Sequence, residues 1–180
     1  MVLLLYHNDK IMIRNPVIFM AISEHLFGPV YNQDSEILIL GSFPSVLSRE
    51  KSFYYQNTQN RFWKILAELY DPAFINSSPD ELIQLLHQYH IALYDVVLRC
   101  EITGSSDQSI KIIEYAPVEE IIRQSKVSHI YFNGQTAYRL FIKSSINVCV
   151  PLTLLPSTSP ANAKLSLNDL LSQWQVIKNH

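Results

Sequence analysis

Glu36-Ile37-Leu38-Ile39-Leu40-Gly41-Ser42-Phe43-Pro44-Ser45 is the stretch that decides the fold. Its apolar run is nearly continuous, which predicts a strand buried on both faces. The run stops at Gly41, which permits close backbone approach, and Pro44 bars continuation of the strand. A loop at the C-terminal end of such a strand is a common ligand position in open α/β folds.

Downstream, apolar periodicity alternates between helix and strand. Phe62, Trp63, Leu66 and Leu69 recur at helical spacing over 60–70. Ser78, Pro79 and Glu81 form a capping-box start for a helix with Leu82, Leu85 and Leu86 on its buried stripe. Residues 91–97 read as a second buried strand or strand exit. A polar turn or substrate-facing loop follows at Thr103-Gly104-Ser105-Ser106-Asp107. Pro117 opens a helix to about 124, 129–132 form a third strand, and 135–141 are helical. Residues 151–155 give a fourth strand, and Leu165 to Trp174 a last amphipathic helix. The alternation predicts a single three-layer α/β/α domain around a central, mainly parallel four-stranded sheet. Residues 1–24 are expected to be an appendage and 25–180 the domain.

The chain has 180 residues, of which 48% are hydrophobic, enough for one packed core and too many for a disordered chain. Its formal net charge of -2 gives no global attraction for nucleic acid, so any such contact must rest on local basic groups. Arg49, Lys51 and Arg61, with Arg139 and Lys143 on another helix, are the candidates. Two cysteines, Cys100 and Cys149, form neither a disulfide framework nor a four-thiolate site and suit a reducing, intracellular setting. No segment reaches the roughly 20 apolar residues of a membrane span. Walker, GxGxxG, HExxH and GxSxG patterns are missing, and His87 with His90 lacks a second ligand set.

Most of the polar candidates carry two readings. Asn60 in Asn60-Arg61-Phe62-Trp63 is a helix cap or a catalytic polar group, and one role does not exclude the other. Tyr54 or Tyr55 is a stacking surface for a planar base. Arg61 is a phosphate contact or a solvated charge. Asp95, at a strand exit, is a loop hydrogen-bonding group or a carboxylate that reads a base and develops a perturbed pKa. Asn133-Gly134 is a strand-to-helix cap or part of a pocket. Ser157, Thr158 and Ser159 lie between Pro156 and Pro160, which suggests a shaped loop.

Taken together, these segments resemble the uracil-DNA glycosylase superfamily, most closely its hypoxanthine (deoxyinosine)-DNA glycosylase branch. The similarity runs from His25 and Pro29-Val30-Tyr31 through the 37–45 stretch, Phe53-Tyr54-Tyr55 and Asn60-Arg61-Phe62-Trp63. It continues through Ala92-Leu93-Tyr94-Asp95-Val96-Val97 with Cys100, Gly104-Ser105-Ser106-Asp107 and Phe132-Asn133-Gly134. It closes on Leu155-Pro156-Ser157-Thr158-Ser159-Pro160-Ala161-Asn162.

The resemblance implies that Gly41, Ser42, Phe43, Pro44 and Ser45 form the first active-site loop. Tyr54 or Tyr55 would stack on the base, with Asn133 beside it. Asn60 and Asp95 would be the catalytic pair, Asp95 reading the base. Ser157, Thr158 and Ser159 would hold the flipped nucleotide, and Arg61, Ser157 and Asn162 would meet the DNA backbone. The implied partner is double-stranded DNA containing deaminated bases, met by a monomer that needs neither metal nor organic cofactor, in the cytoplasm or nucleoid. Phe43 stands where better-known uracil glycosylases often carry Asp or Asn, and the last loop lacks their histidine. Both departures point away from strong uracil specificity. A uracil or broad deaminated-base glycosylase, a catalytically weak lesion-binding module and a small-molecule hydrolase are the alternatives.

Overall fold

The structure is a computed structural model that describes residues 20–103 and 110–179. The 104–107 part of the expected turn, and all but the last five residues of the expected appendage, lie outside the described residues. In chain order the elements are β1 (Met20–Glu24), β2 (Ile37–Gly41), α1 (Val46–Glu50), α2 (Phe62–Leu69), α3 (Pro79–Gln88), β3 (Ile91–Asp95), β4 (Val97–Thr103), β5 (Ile110–Tyr115), α4 (Val118–Arg123), β6 (His129–Asn133), α5 (Gln135–Lys143), β7 (Leu152–Leu155) and α6 (Leu167–Trp174).

Four strands form the expected parallel sheet in the order β3-β2-β6-β7. All five residues of β2 and all five of β3 are buried, as their unbroken apolar runs require. The chain leaves β2 to one neighbour, β3, and later returns to the other, β6. The C-terminal end of β2 is therefore the topological switch point, where open α/β sheets bind ligands. Register brings Gly41 opposite Asp95, and Leu40 opposite both Tyr94 and Phe132. On the next pair Asn133 stands opposite Leu155. Four strand ends thus deliver Gly41, Asp95, Asn133 and Leu155 to one rim.

Helices cover the sheet to complete three layers. Phe62, Ile65 and Leu66 of α2 are fully buried, and Phe62 meets Trp174 of α6 edge-on with ring centroids 5.9 Å apart. The Ser78 N–H donates to the Glu81 carboxylate at 2.7 Å, so the capping box that marks the start of α3 is formed.

Three features depart from the sequence-based expectation. First, 91–97 is two strands. The chain breaks at Val96, whose N–H donates to the Gly41 carbonyl at 2.9 Å, and Val97 starts a new direction with its N–H on the Ser42 carbonyl at 3.1 Å. Second, β4 joins β1 and β5 in a separate antiparallel sheet, order β1-β4-β5. Met20–Glu24, assigned to an appendage, is thereby a strand paired along its whole length with β4. Third, the five-residue α1 follows the 41–45 loop, capped by Ser45, whose hydroxyl accepts from Ser48 N–H at 3.2 Å. Its inward residue is Ser48 while Val46 and Leu47 are exposed, so no apolar stripe announces it.

Leu38, the second residue of β2, is fully buried between two paired strands. Leu38→Ala is expected to cost about 2–5 kcal/mol, read as a lower denaturant midpoint with an unchanged slope.

Candidate active site

Asp95 ends β3 with only 4% of its surface exposed. One carboxylate oxygen, Oδ2, lies 3.0 Å from His25 Nε2. The other, Oδ1, crowds the backbone of Gly41: a Cβ there would sit 2.0 Å from Oδ1 and 3.1 Å from the Tyr55 hydroxyl. Glycine at 41 is therefore a requirement of close approach, not of turn geometry. Oδ1 makes no hydrogen bond among the described residues. Burial raises the Asp95 pKa above the usual carboxylate range, and the His25 hydrogen bond and charge pull it partly back.

His25 follows β1 and is fixed by its own N–H, which donates to the Leu98 carbonyl at 2.8 Å. Its ring is boxed by Phe27, Tyr94 and Tyr54, with centroids at 4.4, 5.0 and 5.7 Å. Nδ1 is buried without a hydrogen-bond partner among the described residues. Sequence reasoning used His25 only as the edge of a resemblance. No local pattern could have assigned it, because its partner lies 70 residues away.

A second polar group runs from β6 to the start of α2 through Thr158, which is fully buried. Asn133 Nδ2 donates to Thr158 Oγ1 at 2.9 Å, and Asn133 Oδ1 accepts from Thr158 N–H at 2.9 Å. With that lone pair used, the Thr158 hydroxyl donates onward to Asn60 Oδ1 at 2.8 Å. Asn60 Oδ1 also accepts from Phe62 N–H at 3.0 Å, which caps α2. Both donors reach the same oxygen, so the amide orientation is determined: Oδ1 is occupied and Nδ2 remains as a donor-only group. Nδ2 makes no hydrogen bond among the described residues.

Arg61, half-buried, turns its guanidinium onto backbone carbonyls. Nε donates to the Thr158 carbonyl at 3.3 Å, one terminal nitrogen to the Leu165 carbonyl, and the other to Ser159 and Asn162 carbonyls at 2.8 and 2.9 Å. The expected phosphate contact gives way to a clamp that ties the 158–165 loop to α2, since four of the five guanidinium N–H groups are used. Within that loop Ser157 Oγ accepts from Ser159 N–H at 3.2 Å, and Asn162 Nδ2 donates to the Ser157 carbonyl at 2.9 Å. Ser157 also packs over Gly134, where a Cβ would fall 2.7 Å from its own; Gly134 has φ of 100°, a conformation that favours glycine.

The two tyrosines separate. Tyr54 is 2% exposed, and its hydroxyl donates to the Gly28 carbonyl at 2.9 Å. It belongs to the wall around His25, and a buried ring cannot also cover a base. Tyr55 is half-buried, with its ring stacked on Phe62 at 4.0 Å and its hydroxyl turned inward toward Gly41 and Asn133. Burial and then the Asp95 charge push both phenols up, which keeps them neutral. In the first loop Gly41 and Pro44 are buried, Ser42 and Phe43 half-buried and Ser45 exposed. Arg49 lies over the Phe43 ring at 5.4 Å and donates to the Pro44 carbonyl at 2.8 Å. The N–H groups of Ser42 and Phe43 make no hydrogen bond among the described residues.

The rim thus combines a buried carboxylate at the switch point, a glycine-proline loop and a serine-threonine loop. The family model of the uracil DNA glycosylase superfamily matches residues 29–178. The chain belongs to that superfamily, a group of hydrolases acting on deaminated bases in DNA. Among curated proteins, it is 30% identical over 159 residues to a hypoxanthine DNA glycosylase of Methanosarcina acetivorans, covering 86% of this chain and 97% of that protein. A hypoxanthine DNA glycosylase of Methanosarcina barkeri is 28% identical over 153 residues, covering 82% and 93%. Among solved structures, it superposes with a TM-score of 0.74 on a solution NMR structure of a candidate uracil DNA glycosylase from Methanosarcina acetivorans. That pair is 29% identical, and the match covers 89% of this chain and 98% of the other. No helix among the described residues is long and apolar enough to cross a membrane.

Arg61→Ala leaves the Ser159, Asn162 and Leu165 carbonyls without their common donor. Hydrogen exchange is expected to accelerate selectively over 157–165, with thermal stability lowered by about 1–3 kcal/mol. Unchanged exchange in that loop would show that the clamp is dispensable.

Proposed function

We propose that the protein is a monofunctional DNA glycosylase that hydrolyses the N-glycosidic bond of deoxyinosine, releasing hypoxanthine and leaving an abasic site for base excision repair. The carrying observation is Asp95: a buried carboxylate at the switch point, with Oδ2 held by His25 and Oδ1 beside Gly41 and Tyr55. The names of both curated relatives support this choice of base.

Hypoxanthine presents an imino N–H flanked by a carbonyl, and an ionised Asp95 Oδ1 accepts from that N–H. Adenine presents a bare nitrogen there, and two acceptors face to face repel. Uracil and xanthine carry the same imino N–H, so Asp95 selects deaminated bases as a class. Preference within that class rests on pocket shape and on Phe43.

The enzyme acts as a monomer on double-stranded DNA. The damaged nucleotide flips out at a cost of a few kcal/mol, least at a mismatch. Tyr55, not Tyr54, offers the aromatic surface, backed by Phe62. The 157–159 loop, held by Arg61 and Thr158, lies against the nucleotide, while Ser157 and Asn162 meet the strand. The glycosidic bond breaks with its electron pair moving to the base, and the N–H groups of Ser42 and Phe43 stabilise that charge. Asn60 holds the attacking water from Nδ2. A water that accepts there keeps a second lone pair for the anomeric carbon, and the proton it loses goes to the departing base. An amide is no strong base, so positioning and charge stabilisation dominate, and an oxocarbenium-like path follows.

Matched duplexes carrying hypoxanthine, uracil or xanthine test this, with free-base identification and a separate abasic-site cleavage step. Hypoxanthine release without strand scission until that step is the expected result. Lesion binding without base release from any duplex would overturn the reading, as would turnover confined to small molecules. Asn60→Ala is expected to lower the single-turnover rate about 100-fold or more. Thr158→Val, which keeps the Asn60 amide but removes its support, should lose less; equal losses would reduce Asn60 to a cap.

A further inference from the structure

We propose that His25 is a positioning residue for Asp95: its Nε2–H occupies Oδ2, holds the carboxylate ionised, and leaves Oδ1 as the acceptor that the pocket presents. The inference rests on the reading of Asp95 as the group that meets the base, and it assigns a function to a residue contributed by the antiparallel sheet.

The geometry determines which tautomer does this. His25 Nε2 and Asp95 Oδ2 are 3.0 Å apart, both buried. The other ring nitrogen, Nδ1, lies within the aromatic box of Phe27, Tyr54 and Tyr94 without a polar partner among the described residues. A proton on Nδ1 would be a buried donor with nothing to receive it, at a cost of about 1–3 kcal/mol. A bare Nδ1 lone pair among ring edges costs less. The proton therefore sits on Nε2 and points at the carboxylate. The alternative, a protonated Asp95 donating to Nε2, would force a proton onto Nδ1 and is disfavoured for the same reason.

The consequence is polarity. A protonated carboxyl offers a donor as well as an acceptor, and a donor facing the imino N–H of a deaminated base would repel it. Desolvation alone would push Asp95 toward that neutral form. The His25 hydrogen bond opposes the push. The neighbouring titratable groups do not compete: Tyr54 and Tyr55, from the segment before α2, and Tyr94 on β3 have phenol pKa values raised above their ordinary range. Asp95 is left to govern the acid side of the pH dependence.

The sign follows. A group whose pKa is raised is ionised only above that higher value, so single-turnover base release should fall as pH drops through it. Removing the His25 donor raises Asp95 further. In the full-length protein, His25→Phe is expected to move the acid limb upward by about one pH unit, while His25→Gln, whose amide can donate to Oδ2, should restore it. In an Asp95→Asn background His25→Phe should change the rate less than two-fold, because the group it acts through is gone.

A direct readout does not depend on turnover. Carboxyl 13C titration of Asp95 should show the same upward shift in His25→Phe and its reversal in His25→Gln. An Asp95 titration that coincides in wild type and a folded His25→Phe would overturn the proposal. So would equal loss in the Phe and Gln variants with no movement of the acid limb. If wild type released no base while the carboxyl titration moved as expected, the glycosylase reading would fail and the His25–Asp95 coupling would stand.

Discussion

A carboxylate taken out of water at the end of a parallel strand is the constraint around which this rim is built. Asp95 is buried because β3 pairs with the central strand and ends at the switch point. Burial opposes its charge, and one hydrogen bond from His25 opposes that burial. The arrangement then restricts its neighbours. Gly41 has no side chain because Oδ1 fills the space a Cβ would need. The aromatic wall of Phe27, Tyr54 and Tyr94 keeps water from Nδ1. The small antiparallel sheet acquires a purpose, since β1 and β4 position His25.

The other half of the rim is organised by donors and acceptors used in one direction. Asn133 donates to Thr158, and Thr158 donates to Asn60, so the Asn60 NH2 is left without a hydrogen bond among the described residues. This converts an amide that can in principle face either way into one of defined polarity. Arg61 adds a mechanical element by gathering the carbonyls of the 158–165 loop. Adjacent residues Asn60 and Arg61 thus divide the labour. The amide caps α2 and meets Thr158, and the guanidinium secures the loop that carries Thr158.

Elements whose identity lies in local pattern were legible. The runs at 37–40, 91–94 and 130–132 are apolar without alternation, and each lies buried in a parallel strand. Ser78 and Glu81 carried their own helix start. The antiparallel sheet was not legible, because β4 reads as the continuation of β3 until Val96 bonds back to Gly41. Its partner β1 lies some 80 residues earlier, with Met20 opposite Thr103. Helix α1 was missed for a different reason: it turns a serine inward and its apolar residues outward.

The amino-acid sequence by itself determined the layers, the parallel sheet, the loops at its rim and Asp95 and Asn60 as the polar groups to watch, because periodicity, caps and strand ends are written within a few residues. Only the tertiary structure decided what those groups can do. Whether Tyr54 or Tyr55 is accessible, whether Arg61 meets solvent or carbonyls, and which histidine meets Asp95 depend on contacts between residues 26 to 97 positions apart. Hydrogen-bond polarity is a property of the pair, and the pairs exist only once the sheet has set its register.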